Sequence, residues 1–325
     1  MDGQLKRITV LGGGTGTYTA LLGLKKHPVD LSAIVSIADN GGSTGLLRDE
    51  LGVLPPGDLR QCLVALSSAD DVVRRLFTFR FPEGGLRGQN CGNLILSALE
   101  IIYGDRSEAI RHAHRLLNVR GRVIPASVHA TNLCARLEDG TVVDGEHSID
   151  EPRTDRAPIR SVFLSPSVRA NRDALSAIAE SDLVVLGPGD LYTSIIPVLL
   201  VKGIRQALAE TDAKIVFVLN LAWKAGQTDD FTAKRFVHVV QDHVKPAALD
   251  AVIVNSEPIP PELFERYLAA GEPVVKDDFA NESFRIIRCG LLADGDVQHD
   301  PSDDVKRSLL RHDPDKLANA IVSAF

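Results

Sequence analysis

The sequence predicts an α/β fold: a Rossmann-like, doubly wound, mainly parallel sheet in a three-layer sandwich. Short apolar runs alternate with helical patterns, as parallel sheets require. Two early apolar runs also end in glycine-rich loops, which is typical of ligand-binding strand ends. The expected strands are residues 8–11, 33–37, 183–186, 215–219 and 251–254.

The middle of the chain departs from this alternation. Residues 59–117 are mostly helical in pattern, most clearly at 59–66 and 94–103. Residues 133–137 and 141–143, joined by a Glu-Asp-Gly turn, predict a β-hairpin. We therefore expect one domain over residues 1–325, with a Rossmann-like core at 1–58 and 160–325. A helical and hairpin elaboration at 59–159 would cover one side of the sheet.

Composition narrows the functional class. The 325 residues are 44% hydrophobic and 24% charged, as in ordinary globular proteins, and no apolar run approaches the length of a membrane span. No signal-peptide pattern is evident, so we expect a cytoplasmic protein without membrane insertion. The formal net charge of −7 argues against nucleic acid as the main partner.

Cysteines and histidines give no sign of a metal site. Four cysteines are scattered without a CxxC pair, which is typical of reduced thiols. His112 and His114 are two residues apart on a predicted helix and so point in different directions. No Ser-His-Asp grouping is visible, and the catalytic residues remain unassigned.

The first glycine-rich loop follows the first expected strand. Gly12-Gly13-Gly14-Thr15-Gly16 resembles a dinucleotide fingerprint, but Thr17 stands where its third glycine belongs. A tight strand–helix turn explains the loop equally well. No Lys-Ser/Thr pair follows, which excludes a P-loop.

The second glycine-rich loop is harder to explain as a turn. Asp39-Asn40-Gly41-Gly42-Ser43-Thr44-Gly45 has three glycines and two hydroxyl side chains, more than a turn needs. A helix N-terminus behind such a loop offers free N–H groups to a phosphate. Asp39 also stands where a ribose-binding acid would lie. This loop predicts a nucleotide or phosphorylated ligand.

Three further segments add candidates. Asp58 and Gln61 form a capping-box pattern, so Asp58 is predicted to cap a helix and Arg60 to bind a phosphate. Asn93 precedes another helix, either as its N-cap or as a ligand contact. Residues 187–194, containing Gly187, Gly189, Asp190 and Tyr192, form a third loop at a strand end.

These loops together resemble the gluconeogenesis factor family. The resemblance covers residues 12–16, 39–48, 54–66, 92–94, 187–196, 220–221 and 226–229. The family belongs to the superfamily of 2-phospho-L-lactate transferase, which acts in coenzyme F420 synthesis. The resemblance implies a cytoplasmic protein that binds UDP-sugars such as UDP-N-acetylglucosamine. It also implies a role in cell shape and wall integrity during growth on gluconeogenic carbon sources, with the cell-wall synthesis machinery as partner.

Two positions depart from the family pattern. The family commonly has His where Gln89 stands, which puts a proton-transfer role there in doubt. It commonly has Ser where Asp190 stands. A carboxylate beside a diphosphate is repulsive unless a cation or hydroxyl intervenes, so Asp190 faces a metal, faces a sugar or caps the next turn.

Three functions remain after these observations: a UDP-sugar-binding regulatory protein without turnover, a phospholactyl or phosphoryl transferase, and an NAD(P)-dependent oxidoreductase. We favour the first, because residues 40–43 and 55–56 replace the acidic segment of the transferases. No cofactor is required in this interpretation, although NAD(P) and Mg²⁺ stay open, as does a homodimer. The expected ligand contacts are Gly13, Gly14, Thr15, Gly16, Asp39, Asn40, Gly41, Gly42, Ser43, Arg60, Asn93, Gly187, Gly189, Asp190, Tyr192 and Asn220.

Overall fold

The centre of the fold is a parallel sheet. A computed structural model describes residues 5–151, 156–294 and 310–325. Within these residues the sheet has seven strands in the order β10-β9-β8-β7-β1-β2-β3, with every neighbouring pair parallel. Its strands are β1 (Lys6–Gly12), β2 (Val29–Val35), β3 (Arg122–Pro125), β7 (Leu183–Leu186), β8 (Lys214–Val218), β9 (Ala251–Asn255) and β10 (Arg285–Cys289).

A smaller antiparallel sheet lies beside it, in the order β5-β4-β6. Its strands are β4 (Asn132–Leu137), β5 (Val142–Asp144) and β6 (Ile159–Ser165). The described helices are α1 (Gly14–Leu24), α2 (Gly42–Leu51), α3 (Pro56–Leu66), α4 (Asp71–Thr78), α5 (Cys91–Tyr103), α6 (Arg106–Leu116), α7 (Glu146–Asp150), α8 (Arg172–Ala179), α9 (Ile196–Leu199), α10 (Ile204–Glu210), α11 (Ala233–Val244), α12 (Pro261–Ala269) and α13 (Pro314–Val322). Short 3₁₀ and π-helical turns occupy Gly84–Leu86 and Leu191–Ile195.

Both faces of the main sheet are covered. Successive strand residues point to opposite faces, so Val10 packs into one core and Leu11 into the other. One core is completed by α1, α3 and α13, and the other by α8 to α11 and the small sheet. Strands buried on both faces need continuous apolar runs, which explains why all four residues of Leu183–Leu186 are apolar. The result is a three-layer α/β sandwich, which confirms the predicted fold class.

The strand order reverses next to β1. The chain proceeds from β1 through β2 to β3 in one direction, and from β7 to β10 in the other. β1 is therefore flanked by β2 and β7, with Ile8 opposite both Leu31 and Leu183. In open α/β sheets, ligands bind outside the carboxyl ends of the strands at such a switch point.

Most of the expected elements are present. The five predicted strands correspond to β1, β2, β7, β8 and β9, and the predicted hairpin is β4–β5. The small sheet covers one face of the main sheet, whereas α3 packs on the other, so residues 59–159 contribute to both faces. The edge strands β3 and β10 were not predicted. β3 pairs with β2 although it lies inside residues 59–159, so the main sheet takes one strand from the predicted elaboration.

Candidate functional site

Three loops meet at the switch point. A Cβ atom added to Gly16 would lie 2.3 Å from the carbonyl oxygen of Pro188, and one added to Gly189 would lie 3.5 Å from that of Gly13. The loops after β1 and β7 are thus in backbone contact. Gly16 permits this close approach because it has no side chain. In the dinucleotide-binding fingerprint, the third glycine permits close packing in a similar way. Side chains at these positions would separate the two loops.

Two helices begin at this edge of the sheet. α1 follows Gly13 and α2 follows Gly41, and neither N-cap residue makes a side-chain capping bond. Their first-turn amides therefore depend on other groups for hydrogen bonds. Gly42 has φ +45° and open space where a Cβ would lie. This part of the predicted site has the geometry expected for binding an anion.

Asp58 does not cap its own helix. α3 begins at Pro56, so Asp58 is its third residue and Pro55 its N-cap. Proline is favoured at the first helical position because its φ is already helical, which moves the start upstream of the capping-box pattern. The Asp58 carboxylate instead lies against the first glycine-rich loop, where the backbone N–H of Gly14 acts to lower its pKa. The prediction of Asp58 as N-cap is wrong.

The carboxylates here are electrostatically coupled. Burial raises the pKa of Asp58 to about 7, helped by the Asp39 carboxylate and opposed by the Gly14 N–H and Arg60. Burial likewise raises the pKa of Asp39, although its Oδ1 accepts from the Gly41 N–H at 2.9 Å. Asp39 approaches the start of α3, since a Cβ on Gly57 would lie 2.6 Å from its Oδ2.

The sequence interpretation missed Glu146. This residue opens α7, and burial, followed by the charges of Asp39, Asp150, Asp58 and Asp190, raises its pKa well above the usual value. α7 is held against the second loop, because Asn40 Oδ1 accepts from the backbone N–H of His147 at 2.8 Å. Asn40 therefore joins the loop to the hairpin region, a contact that no local sequence signal indicates.

Lys224 was missed as well. Its Nζ lies 3.2 Å from Asp150 Oδ2 and 3.7 Å from Asp190 Oδ2. Burial alone would lower the pKa of Lys224, but these carboxylates outweigh it and raise the pKa. Burial raises the pKa of Asp190, opposed by Lys224. The charge partner of Asp190 is thus a lysine, and its side chain makes no capping bond to the following turn.

Arg60 lies in the interior. It is 7% exposed, and its Nε donates to Asn93 Oδ1 at 2.9 Å. Its NH1 donates to the carbonyl oxygen of Phe77 at 3.3 Å. Asn93 is not the N-cap of α5, because Asn90 holds that position and accepts from the Asn93 backbone N–H. The structure therefore places Arg60 and Asn93 behind the loops.

Ser43 connects the second loop to α5. Its Oγ donates to Gln89 Oε1 at 2.8 Å and accepts from the backbone N–H of Asn90 and the side-chain amide of Asn93. Gln89 thus acts as a hydrogen-bond acceptor in this network. Ser43 is buried, which leaves its backbone amide rather than its hydroxyl for a ligand.

The third loop supplies fewer contacts than its motif suggests. Tyr192 is 4% exposed and packs edge-on to Phe231, so it belongs to the core. Asn220 Nδ2 donates to the carbonyl oxygen of Gly189 at 2.9 Å, which fixes the loop. Its buried Oδ1 has no hydrogen-bond partner among the described residues. Gly187 and Gly189 contribute close backbone contacts instead.

The switch point is acidic, because Asp39, Asp58, Glu146 and Asp190 lie close enough there to raise one another's pKa values. Among the described residues, no group of three or more His, Cys, Asp or Glu side chains is arranged to hold a metal ion. In the same part of the chain, no helix is both long and apolar enough to span a bilayer. The arrangement offers amide donors for an anion and carboxylate acceptors for hydroxyl groups.

Comparisons with known proteins agree with the motifs. The family described as 2-phospho-L-lactate transferase CofD matches residues 8–292. The gluconeogenesis factor of Halalkalibacterium halodurans is 40% identical over 320 residues, covering 98% of this chain and 96% of that protein. This chain belongs to the gluconeogenesis factor family. The Bacillus subtilis gluconeogenesis factor is 40% identical over 323 residues, covering 98% of each chain.

A solved structure extends the family likeness to the fold. The crystal structure of a UPF0052 family member from Bacillus halodurans superposes with a TM-score of 0.89 at 37% identity, covering 98% of this chain and 99% of that one. The family predicted from the glycine loops is thus confirmed. The CofD match is compatible with the transferase alternative.

Proposed function

We propose that this gluconeogenesis factor is a regulatory protein that binds a UDP-sugar in the switch-point cleft without turning it over. One observation carries the proposal: the loops after β1 and β7 touch where the strand order reverses, beside the N-termini of α1 and α2. That position is the usual ligand crevice of doubly wound sheets. Amides that receive no capping bond from their own N-cap residues suit the diphosphate of a nucleotide sugar.

The carboxylates support a sugar-bearing ligand. Ribose and hexose hydroxyls donate hydrogen bonds, and carboxylates are acceptors. Asp39 in the loop after β2 and Glu146 at the start of α7 suit such hydroxyls. In this proposal the phosphates lie at the helix N-termini and the hydroxyls lie at the acidic wall.

The cellular role follows from the family. We propose that the protein acts in the cytoplasm and that its ligand-bound form signals to the cell-wall synthesis machinery, supporting cell shape and wall integrity on gluconeogenic carbon sources. A homodimer is compatible with this role.

Thermal unfolding tests the binding proposal. UDP-N-acetylglucosamine at about 100 times its Kd should stabilise the fold by roughly 2.7 kcal/mol, and GDP and NAD(P) should have little effect. Gly42→Asp should weaken binding about tenfold or more, because it adds a negative charge where the phosphates are expected. Gly42→Asn is the matched control, since both residues tolerate positive φ. No response to UDP-sugars together with stabilisation by NAD(P) would favour the oxidoreductase alternative.

The CofD match favours a phospholactyl transferase as the second candidate. Incubation with the deazaflavin Fo, a phospholactyl-guanosine donor and Mg²⁺, followed by chromatography, tests it. We expect no product. Enzyme-dependent transfer above a trace rate would establish the transferase function instead.

A further inference from the structure

The N-terminus of α1 already holds an anion, and that anion belongs to the protein. The Asp58 carboxylate lies beside Gly14, since a Cβ on Gly14 would lie 3.9 Å from Asp58 Oδ1, and the Gly14 N–H acts to lower the pKa of Asp58. A Cβ on Gly13 would lie 2.2 Å from Asp58 Oδ2, so the carboxylate lies directly against the loop. A ligand phosphate would need the same amide. Asp58 therefore stands where the proposed ligand should bind.

The surroundings of Asp58 make its charge unfavourable. Asp39 faces it from the loop after β2, Glu146 from α7 and Asp190 from the loop after β7. Arg60, on α3 itself, is the opposing cation that acts on Asp58. Lys224 pairs with Asp150 and Asp190 on the far side of the cleft. Among the described residues, Asp39 and Asp190 thus raise the pKa of Asp58 and Arg60 opposes them, before any phosphate arrives.

We propose that a ligand phosphate competes with Asp58 for the Gly14 amide, and that Asp58 takes up one proton when the phosphate binds. The Gly14 N–H exchanges a carboxylate acceptor for a phosphate oxygen, and the proton comes from solvent. The inference rests on the proposed function, because it concerns the same cleft. It makes nucleotide-sugar binding dependent on pH near neutrality.

The direction of the dependence follows from linkage. With a pKa of about 7 in the free protein, Asp58 is largely neutral at about pH 6 and largely ionised at about pH 8. A doubly charged diphosphate beside it raises its pKa further. Affinity should therefore be greatest at the lower pH and fall about tenfold between these two values.

Isothermal titration with UDP-N-acetylglucosamine tests this. Repeating the titration at about pH 8 in buffers of different ionisation enthalpy counts protons, and close to one should be taken up per ligand. Asp58→Asn keeps the shape and removes the charge, so its affinity should be independent of pH and about tenfold tighter than wild type at about pH 8. Asp49→Asn, on the exposed side of α2, should keep the wild-type pH dependence.

Other outcomes are equally informative. Weaker binding by folded Asp58→Asn would show that the carboxylate contacts the ligand directly or through a cation, which overturns the competition. Wild-type affinity that is constant with pH, without proton uptake, overturns it even if the variant does not fold. If the wild type binds no UDP-sugar at about pH 6, the proposed function itself fails. Sulfate, whose charge is constant in this range, then probes the competition alone, and pH-independent or absent sulfate binding refutes it.

Discussion

Replacing Arg60 by alanine distinguishes a structural arginine from a phosphate ligand. The sequence analysis assigned Arg60 to a ligand phosphate, and on that assignment Arg60→Ala would weaken nucleotide binding and leave the free protein largely unaffected. In the structure the guanidinium is buried and bonded to Asn93 Oδ1 and the Phe77 carbonyl oxygen. We now expect the main effect on the free energy of unfolding.

The magnitude follows from the contacts. Each hydrogen bond from a charged donor contributes about 1.5–3 kcal/mol to stability. Removing the guanidinium leaves Asn93 Oδ1 and the Phe77 carbonyl oxygen without this donor. Arg60 also opposes the raised pKa values of Asp39 and Asp58, so its loss adds repulsion near neutral pH. Desolvation of the guanidinium offsets part of this. The net loss should be about 3 kcal/mol.

Urea unfolding at about pH 7 measures this loss, with Arg75→Ala as the matched control. Arg75 has an 82% exposed side chain, and its replacement should change stability by less than about 0.5 kcal/mol. Arg60→Lys should recover only part of the loss, because an ammonium lacks the planar fork. A stability loss below about 1 kcal/mol for Arg60→Ala, combined with weaker UDP-sugar binding, would refute the structural interpretation.

Two further predictions concern the loops. The raised pKa of Asp58 means that its ionisation destabilises the fold progressively between about pH 4 and about pH 7. Urea unfolding should therefore show Asp58→Asn more stable than wild type by up to about 4 kcal/mol at about pH 8 and equal to it near pH 4. Gly16→Ala should lower the unfolding free energy by about 1–3 kcal/mol in thermal melts, because its Cβ would lie 2.3 Å from the Pro188 oxygen, whereas Gly85→Ala, with open space around it, should have little effect.

The sequence predicted the central strands because burial on both faces requires long apolar runs. Leu183–Leu186 is an example, and its predicted limits match β7. β10 was missed for the opposite reason, because it buries little and Arg285–Cys289 carries arginines at both exposed positions. β3 is largely buried, but it spans only the four residues Arg122–Pro125, which is too short a run to indicate a strand by itself. Their pairing depends on the neighbouring strand more than on their own pattern.

The site was predictable only where backbone chemistry is local. Glycine loops indicate strand ends by themselves, so all three loops were located from sequence, including the one after β7. Glu146 and Lys224 reach the cleft through tertiary packing, and no short-range signal marks them. Arg60 was predicted to bind a phosphate because a helix start resembles a binding site in sequence whether it lies at the surface or in the interior.

The position of β1 in the sheet affects how the chain folds while it is being synthesised. One edge of β1 closes only when β7 pairs with it, and the Arg7–Asp182 hydrogen bond at that junction joins residues 175 positions apart. At translation rates of about 5–20 residues per second, the first strand waits roughly 10–35 s for its partner. During that interval a strand that is apolar on both faces has an open edge. Newly synthesised chains should therefore depend on chaperones more than the stability of the finished protein would suggest.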